Sequence, residues 1–599
     1  MLRFNPRISS LLALSASLIL SFALFGNGIK GDYVFDDKIV ILGNPHLEER
    51  PPSLIDIFSD SYHAYQPTTG LYRPLTIASF ALNTYMFGTS PVSFHVFNII
   101  LHALVGFMIY VIVGSLADMR TAVVSALLFL FLPIHVEDVT SLVGRAELLA
   151  LLFSLVALYA VMRGKYHWGA LAFLLGLFSK ESAIAFIPIW LSWEYFFNKQ
   201  TIRTILKRFL IMLPAISIYA VLRYLALGKY VLANDATAVY NPLKFAPFFD
   251  TLWTSGKIAF LYIQKMLVPT VFSSDYSFNQ IPVVHNPFSS WQALLGLTIL
   301  AGLVWIAVKK RRSLVGWSAV VFLAFYFIIS NLIFKTGTIM AERLVYAASL
   351  GLVMLLALCI EHLRKKIGHE KVIYGALTIM LIFYGYKTIN RNSVWISEER
   401  LFASAVVVAP ESVVNRTNLA YLRYVQKDLE GAKTESEGVL AIAPDHVPAL
   451  NLAAQSNKKL GNPKVAEDYW KRAIELRPDY VRGYLGLGVL YYENGHFPDA
   501  ELILTKAVNI FPRWSEVLFL SLTKTALKKY DEAIAIVIQH FGEDPERPDL
   551  IFALGVAYYK KGDREHAMKY LRKVQNPNLT QEQFLQTIEK NTIFLITDL

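Results

Sequence analysis

The chain has 599 residues, of which 55% are hydrophobic, 13% aromatic and only 17% charged, with a mean hydropathy of +0.42. A soluble protein carries roughly 25% charged residues, so a chain living wholly in water is excluded. Residues 1–395 hold 32 Lys and Arg against 19 Asp and Glu, whereas 396–599 hold 25 against 27. The basic surplus therefore sits in the apolar part, which excludes the basic soluble face that nucleic acid requires. A single cysteine, Cys359, excludes an intrachain disulfide and a cysteine-based zinc site.

Stretches apolar enough to cross a bilayer recur near 8–26, 92–115, 121–134, 145–162, 167–178, 182–197, 209–227, 251–271, 290–308, 315–334, 343–362 and 371–389. The first has a long apolar run and a poor cleavage site at Ala23-Leu24-Phe25-Gly26, so it reads as an uncleaved anchor. Short loops bearing Arg3/Arg7, Arg163/Lys165, Lys199/Arg203/Lys207/Arg208, Lys309–Arg312 and Arg364/Lys365/Lys366 belong in the cytoplasm. The first outer loop is then 27–91, and 135–144, 273–289, 335–342 and everything after 390 share its side. An inner N-terminus with an outer C-terminal domain needs an odd number of spans. Lys257, Gln264 and Lys265 interrupt 251–271, which reads as an interfacial or re-entrant helix and leaves about eleven spans.

Chemistry must come from polar groups that an apolar domain keeps at a cost. Asp36 and Asp37 follow Gly31-Asp32-Tyr33-Val34-Phe35 in the first outer loop. Adjacent carboxylates beside aromatic residues raise at least one pKa, which suits a base, although such a pair also serves as a helix N-cap or a solvated turn. Further polar groups fall at outer span ends: Arg73, His135, Glu137, Asp138, Arg145, Glu147, Lys180, Glu181, Asp275, Glu342 and Arg343. Individually an arginine there snorkels to headgroups, and Glu147 or Glu181 pairs with a neighbouring cation. Together, cations suit a phosphate and carboxylates suit proton transfer from a hydroxyl. His135-x-Glu137-Asp138 matches no metal motif, and no metal or other cofactor is called for.

In the polar part, Pro410, Pro444, Pro478 and Pro512 recur every 34 residues, the period of a tetratricopeptide helix–turn–helix repeat. Offsets agree: Tyr484, Leu487, Gly488, Tyr491, Ala500, Leu504 and Ala507 in one unit, Leu554, Gly555, Tyr558, Ala567 and Leu571 in another, with Ala432, Ala466 and Ala533 at the small position elsewhere. About five repeats cover 413–581. The expected fold is all-α, with a polytopic membrane domain over 1–395 and a repeat solenoid over 396–599.

The motifs Gly31-Asp32-Tyr33-Val34-Phe35-Asp36-Asp37, Tyr72-Arg73-Pro74, Phe94-His95-x-x-Asn98-x-x-x-His102, Pro133-Ile134-His135-x-Glu137, Val143-Gly144-Arg145-Ala146-Glu147, Ser179-Lys180-Glu181, Ser274-Asp275-Tyr276-Ser277, Ala341-Glu342-Arg343 and Arg391-Asn392-x-x-Trp395 occur in this order ahead of the repeats. This series resembles that of the transmembrane and tetratricopeptide-repeat O-mannosyltransferases, of the C-type glycosyltransferase superfamily. The resemblance implies a polyprenyl- or dolichyl-phosphate sugar donor, a sugar that is mannose, and catalysis by the Asp36/Asp37 pair. It also implies donor-phosphate partners among Arg145, Lys180, Arg343 and Arg73, with His135, Glu137, Glu147, Glu181, Asp275 and Glu342 as supporting polar groups. The short array, low cysteine count and clipped loops point to a bacterial inner-membrane member with periplasmic repeats; a eukaryotic one would sit in the endoplasmic reticulum with luminal repeats.

The expected reaction is an inverting transfer to Ser or Thr hydroxyls of a protein or peptide held by the repeat groove. Two other readings compete. One is a superfamily transferase acting on glycan or lipid, and the other a non-catalytic membrane scaffold, since a repeat fold does not imply catalysis.

Overall fold

The computed structural model describes residues 6–47, 51–234 and 237–574. Arg3, part of the first outer loop at 48–50, and the end of the repeat range at 575–581 lie outside the described residues. No strand occurs among the described residues, and the helices form two compact units, Met1–Asn415 and Arg416–Leu599.

In the first unit each predicted apolar stretch contains a helix. Among the described residues seven are long and apolar enough to cross a membrane alone: Ser10–Gly28, Pro91–Leu116, Leu142–Met162, Ile202–Tyr230, Trp291–Lys309, Glu342–Ile367 and Glu370–Val394. A bent pair, Met119–Phe131 with Pro133–Thr140, turns by 50° where Pro133 stops the first helix, and is either a broken span or a re-entrant loop. Tyr166–Ser179 and Leu314–Ile329 are shorter apolar helices, and Phe186–Phe196 fills the remaining predicted position. Phe248–Leu267 is a 20-residue helix outside the seven, as its internal Lys and Gln residues lead one to expect. The protein is thus a multi-pass membrane protein.

Caps mark where polar chain becomes helix. Asp118, Thr201, Ser290 and Ser313 each accept a backbone N–H of the first turn. The loops between the helices are stitched to one another. The Asp32 N–H donates to Ile396 O at 3.0 Å, the Asn279 N–H to Glu411 O at 2.7 Å, and Arg73 grips Glu181.

The second unit is built from helix pairs: Leu429–Ile442 completes a pair begun by Val413–Val425, and Val447–Lys459 with Pro463–Leu476, Val481–Glu493 with Phe497–Ile510, Trp514–Ala526 with Tyr530–Phe541, and Pro548–Lys561 with Arg564–Leu571 follow. Ala432, Ala466, Ala500, Ala533 and Ala567, the small position of each pair, are completely buried. Gly488 carries the same constraint further, because a Cβ there would stand 2.5 Å from Leu504 Cγ. This contact closes each pair, and stacking of successive pairs builds a solenoid.

Candidate functional site

The acidic loop folds around Asp37. Its side chain is fully buried, with Oδ2 accepting from the Val34 N–H at 3.2 Å and Oδ1 from the Val143 N–H at 3.0 Å and Ser141 Oγ at 3.3 Å. Burial pushes this carboxyl up to about 7; the N–H donors oppose the shift and the charge of Asp36 adds to it. Between Val34 and Asp36 the backbone of Phe35 is left-handed, at φ +54°. A non-glycine residue pays about 1–3 kcal/mol there and holds the conformation only when its surroundings fix it.

That turn sends Asp36 the other way. Its carboxylate is 36% exposed, and Oδ2 lies 3.4 Å from Arg343 Nη2. Arg343 is itself aimed by Glu137, which accepts its backbone N–H at 3.0 Å and Nη1 at 2.9 Å. The Arg343 side chain remains 27% exposed, and it links the partly exposed Asp36 to the buried Glu137. Beside them Tyr62 is buried under Arg73, whose guanidinium carbon sits 5.0 Å from the ring centre. The phenol also lies in the field of Asp36, Asp37 and Arg343, and burial keeps it well above the usual tyrosine range. Arg73 donates from Nε and Nη2 to both Glu181 oxygens at 3.0 and 2.7 Å. Burial would raise the Glu181 carboxyl, but Arg73 and Lys180 pull it down to about 2.

The structure therefore brings Asp36, Arg343, Glu137, Arg73 and Glu181 together, while Arg145 and Lys180 are buried on other partners. Arg145 is completely buried and donates to Asn98 Oδ1, Ser79 O, Asn83 Oδ1 and Phe94 O at 2.9–3.2 Å, among the rings of Phe80, Phe94 and Phe97. It ties three helices together and offers no surface to a phosphate. Lys180 is likewise buried on Glu147. The remaining polar residues brace loops. Asp275 accepts from Ser277 and Ser412, and burial raises its carboxyl against those donors. Glu342 accepts the Ser273 N–H at 2.8 Å and the Tyr276 hydroxyl. His135 bonds Ser349 Oγ through Nε2 and packs against Phe129 and Tyr346. Asp138, fully buried, has no hydrogen-bond partner on either oxygen among the described residues. Among those residues no three His, Cys, Asp or Glu side chains are grouped to hold a metal ion.

Sequence reasoning passed over Tyr62 and Glu398. Tyr62 carries no pattern in its loop. Glu398 binds Lys38 at 2.6 Å from 360 residues away, beyond any local signal. Asn98, the acceptor for Arg145, lies inside a motif of the sequence but without a role attached to it.

Chemically, an exposed carboxylate can take a proton, and two partly exposed guanidiniums can hold an anion. The tetratricopeptide repeat model matches residues 451–513, and a second tetratricopeptide repeat model matches 548–576. The human protein O-mannosyl-transferase TMTC3 is 24% identical over 612 residues, covering 91% of this chain and 66% of the relative. The Caenorhabditis elegans protein O-mannosyl-transferase F38B6.6 is 28% identical over 426 residues, covering 68% and 59% respectively. The chain thus spans just under two thirds of the length of these relatives. Among solved structures, the crystal structure of MamA matches 31% of this chain and 99% of its own, at 21% identity and a TM-score of 0.25. Over nearly its whole length, then, the chain is similar to proteins named protein O-mannosyl-transferases, and its C-terminal part matches tetratricopeptide repeats.

Proposed function

We propose that the protein transfers mannose from a polyprenyl-phosphate carrier to Ser or Thr hydroxyls of proteins on the non-cytoplasmic side of its membrane. The observation that carries this reading is the exposed Asp36 carboxylate set against Arg343, in a chain whose relatives bear the name of that activity. The polyprenyl tail lies in the bilayer along the apolar helices and its head reaches the loop cluster. Asp36 accepts the proton of the acceptor hydroxyl as that oxygen attacks the anomeric carbon. The bond from that carbon to the phosphate oxygen breaks, and the sugar inverts. The polyprenyl phosphate leaves as a stable anion and needs no acid; Arg343 and Arg73, whose side chains are 27% and 13% exposed, stabilise its growing charge. Asp37 holds the turn that presents Asp36.

The repeats recruit the acceptor as an extended peptide. In a bacterium they face the periplasm, and in a eukaryote the lumen of the endoplasmic reticulum.

The test is incubation of purified protein with radiolabelled polyprenyl-phosphate mannose and Ser/Thr-containing peptides, with chemical analysis of the product. Label on a Ser or Thr oxygen, inverted at the anomeric carbon, is expected, and Asp36→Asn lowers the rate by about 10²–10⁴ or more. Label on glycan or lipid would favour the competing transferase. A protein that turns over no donor and tolerates Asp36→Asn in complementation would be a scaffold.

A further inference from the structure

The chain that follows the last apolar helix returns to the acidic loop. Ser397 caps the helix Glu398–Val408 by accepting the Arg400 N–H at 3.4 Å, which fixes Glu398 at its first position. From there one carboxylate holds both flanks of the acidic pair. Glu398 Oε1 accepts the Phe35 N–H at 3.3 Å, and Oε2 accepts from the Lys38 ammonium at 2.6 Å. One turn further on, the Phe402 ring packs edge-on against the Phe35 ring, centroids 5.7 Å apart. The Ile396 carbonyl takes the Asp32 N–H at 3.0 Å. These contacts converge on Phe35, the left-handed residue directly before Asp36.

We propose that Glu398 is a positioning residue for sugar transfer: it holds the left-handed turn at Phe35 and the Lys38 side chain behind it, and so aims Asp36 at Arg343 and the acceptor hydroxyl. This rests on the transferase reading above. A simple tether would need one attachment. Glu398 instead takes a donor on each side of the pair, at the turn whose conformation decides where Asp36 points, while Lys38 balances its charge. Asp37 fixes the same turn from the opposite side through Val143. Asp36 is thus located by two anchors and left free of both.

The experiment uses the full-length protein, with Glu398→Ala, Glu398→Asp and Glu398→Gln assayed for transfer from polyprenyl-phosphate mannose to peptide. Glu398→Ala and Glu398→Asp are expected to lose about tenfold to a hundredfold in kcat, the cost of slightly misplacing a reacting group. KM for both substrates and the unfolding temperature stay near wild type. Glu398→Gln keeps an acceptor for the Phe35 N–H and recovers to within about threefold of wild type. Wild-type kcat in Glu398→Ala, a change confined to KM, or a rate loss matched by loss of folded protein in every variant would overturn the proposal. If Glu398→Ala does not accumulate, Glu398→Asp, which withdraws the carboxylate by one methylene, is judged by the same criteria. Asp36→Asn in the same assay separates the two claims. An active wild type with inactive Asp36→Asn and indifferent Glu398 variants sinks only the positioning role, whereas an inactive wild type or a fully active Asp36→Asn sinks the transferase reading itself.

Discussion

The most deeply buried ion pairs of the first unit contrast with exposed ones of the second. In the first, Glu137 with Arg343, Glu147 with Lys180 and Glu194 with Arg208 each place a carboxylate almost wholly out of water. In the second, Lys458–Glu493, Arg472–Asp445 and Lys561–Asp531 each leave a partner largely in solvent. Taking an ion out of water costs several kcal/mol, and pairing returns this only in good geometry. Hydrophobic residues would pack a membrane domain more cheaply, so the charges of the first unit mark places where position matters more than stability. In the repeats, position comes from a recurring alanine, and these three pairs are largely solvated.

Arg145→Gln has the largest expected effect. If Arg145 ties the fold together, removing its guanidinium strands several buried acceptors and destabilises the protein by about 5 kcal/mol, read as a lowered unfolding temperature in detergent. A normal unfolding temperature with a raised KM for the lipid donor would return Arg145 to the phosphate. Asp37 gives the next effect, with a definite sign. Its folded-state pKa of about 7 lies above the ordinary 3.8, so the folded state holds the proton more tightly than the unfolded chain. The stability linked to it is complete below about pH 4, falls as pH rises through 7 and is level above, a loss of up to about 4 kcal/mol. Proteolysis of the 34–44 loop across this range follows it, and Asp37→Asn, which keeps an oxygen for the Val143 N–H, flattens the profile. A wild-type profile without that fall would show Asp37 to be ionised throughout.

What the sequence disclosed follows the same division. The repeats were legible because their constraint is local and periodic: a proline every 34 residues and a small residue where two helices meet. The site was legible only as an inventory. Asp36, Arg343 and Arg145 each stand out as polar groups in an apolar domain, but which guanidinium meets which carboxylate is decided by contacts such as Glu137 to Arg343, 206 residues apart. Arg145 and Arg343 look alike at span ends, and only packing sends one into an aromatic cage and the other to Asp36. The change of composition near 395 assigns 396–415 to the repeats, yet Ile396, Glu398 and Asn415 bond to loops of the first unit. Composition follows the solvent around a segment and carries no record of which distant loop it binds.

Smaller effects belong to the repeats. Gly488→Ala introduces a Cβ 2.5 Å from the buried Leu504 side chain and should cost about 1–3 kcal/mol, measured by urea unfolding followed in the repeat unit. A neutral result would mean that the two helices of this pair move apart freely and that the small-residue rule there is loose.

The smallest effect sets two Lys–Glu pairs side by side. Lys458 meets Glu493 at 2.7 Å, but Glu493 is half exposed, so water replaces the lysine when it is removed and Lys458→Ala should change stability by about 0–1 kcal/mol. Lys180→Ala removes the same kind of charge from Glu147, a side chain with almost no contact with water. Breaking a buried pair in this way costs about 3–5 kcal/mol, because the abandoned carboxylate must be neutralised or drag water inward. Salt separates them further: ionic strength screens what little Lys458 contributes and leaves the buried pair nearly untouched. Equal losses at the two sites, with equal salt dependence, would mean that the loop cluster around Lys180 is wet. The contrast between a unit that buries charge to hold geometry and one that exposes it would then fail.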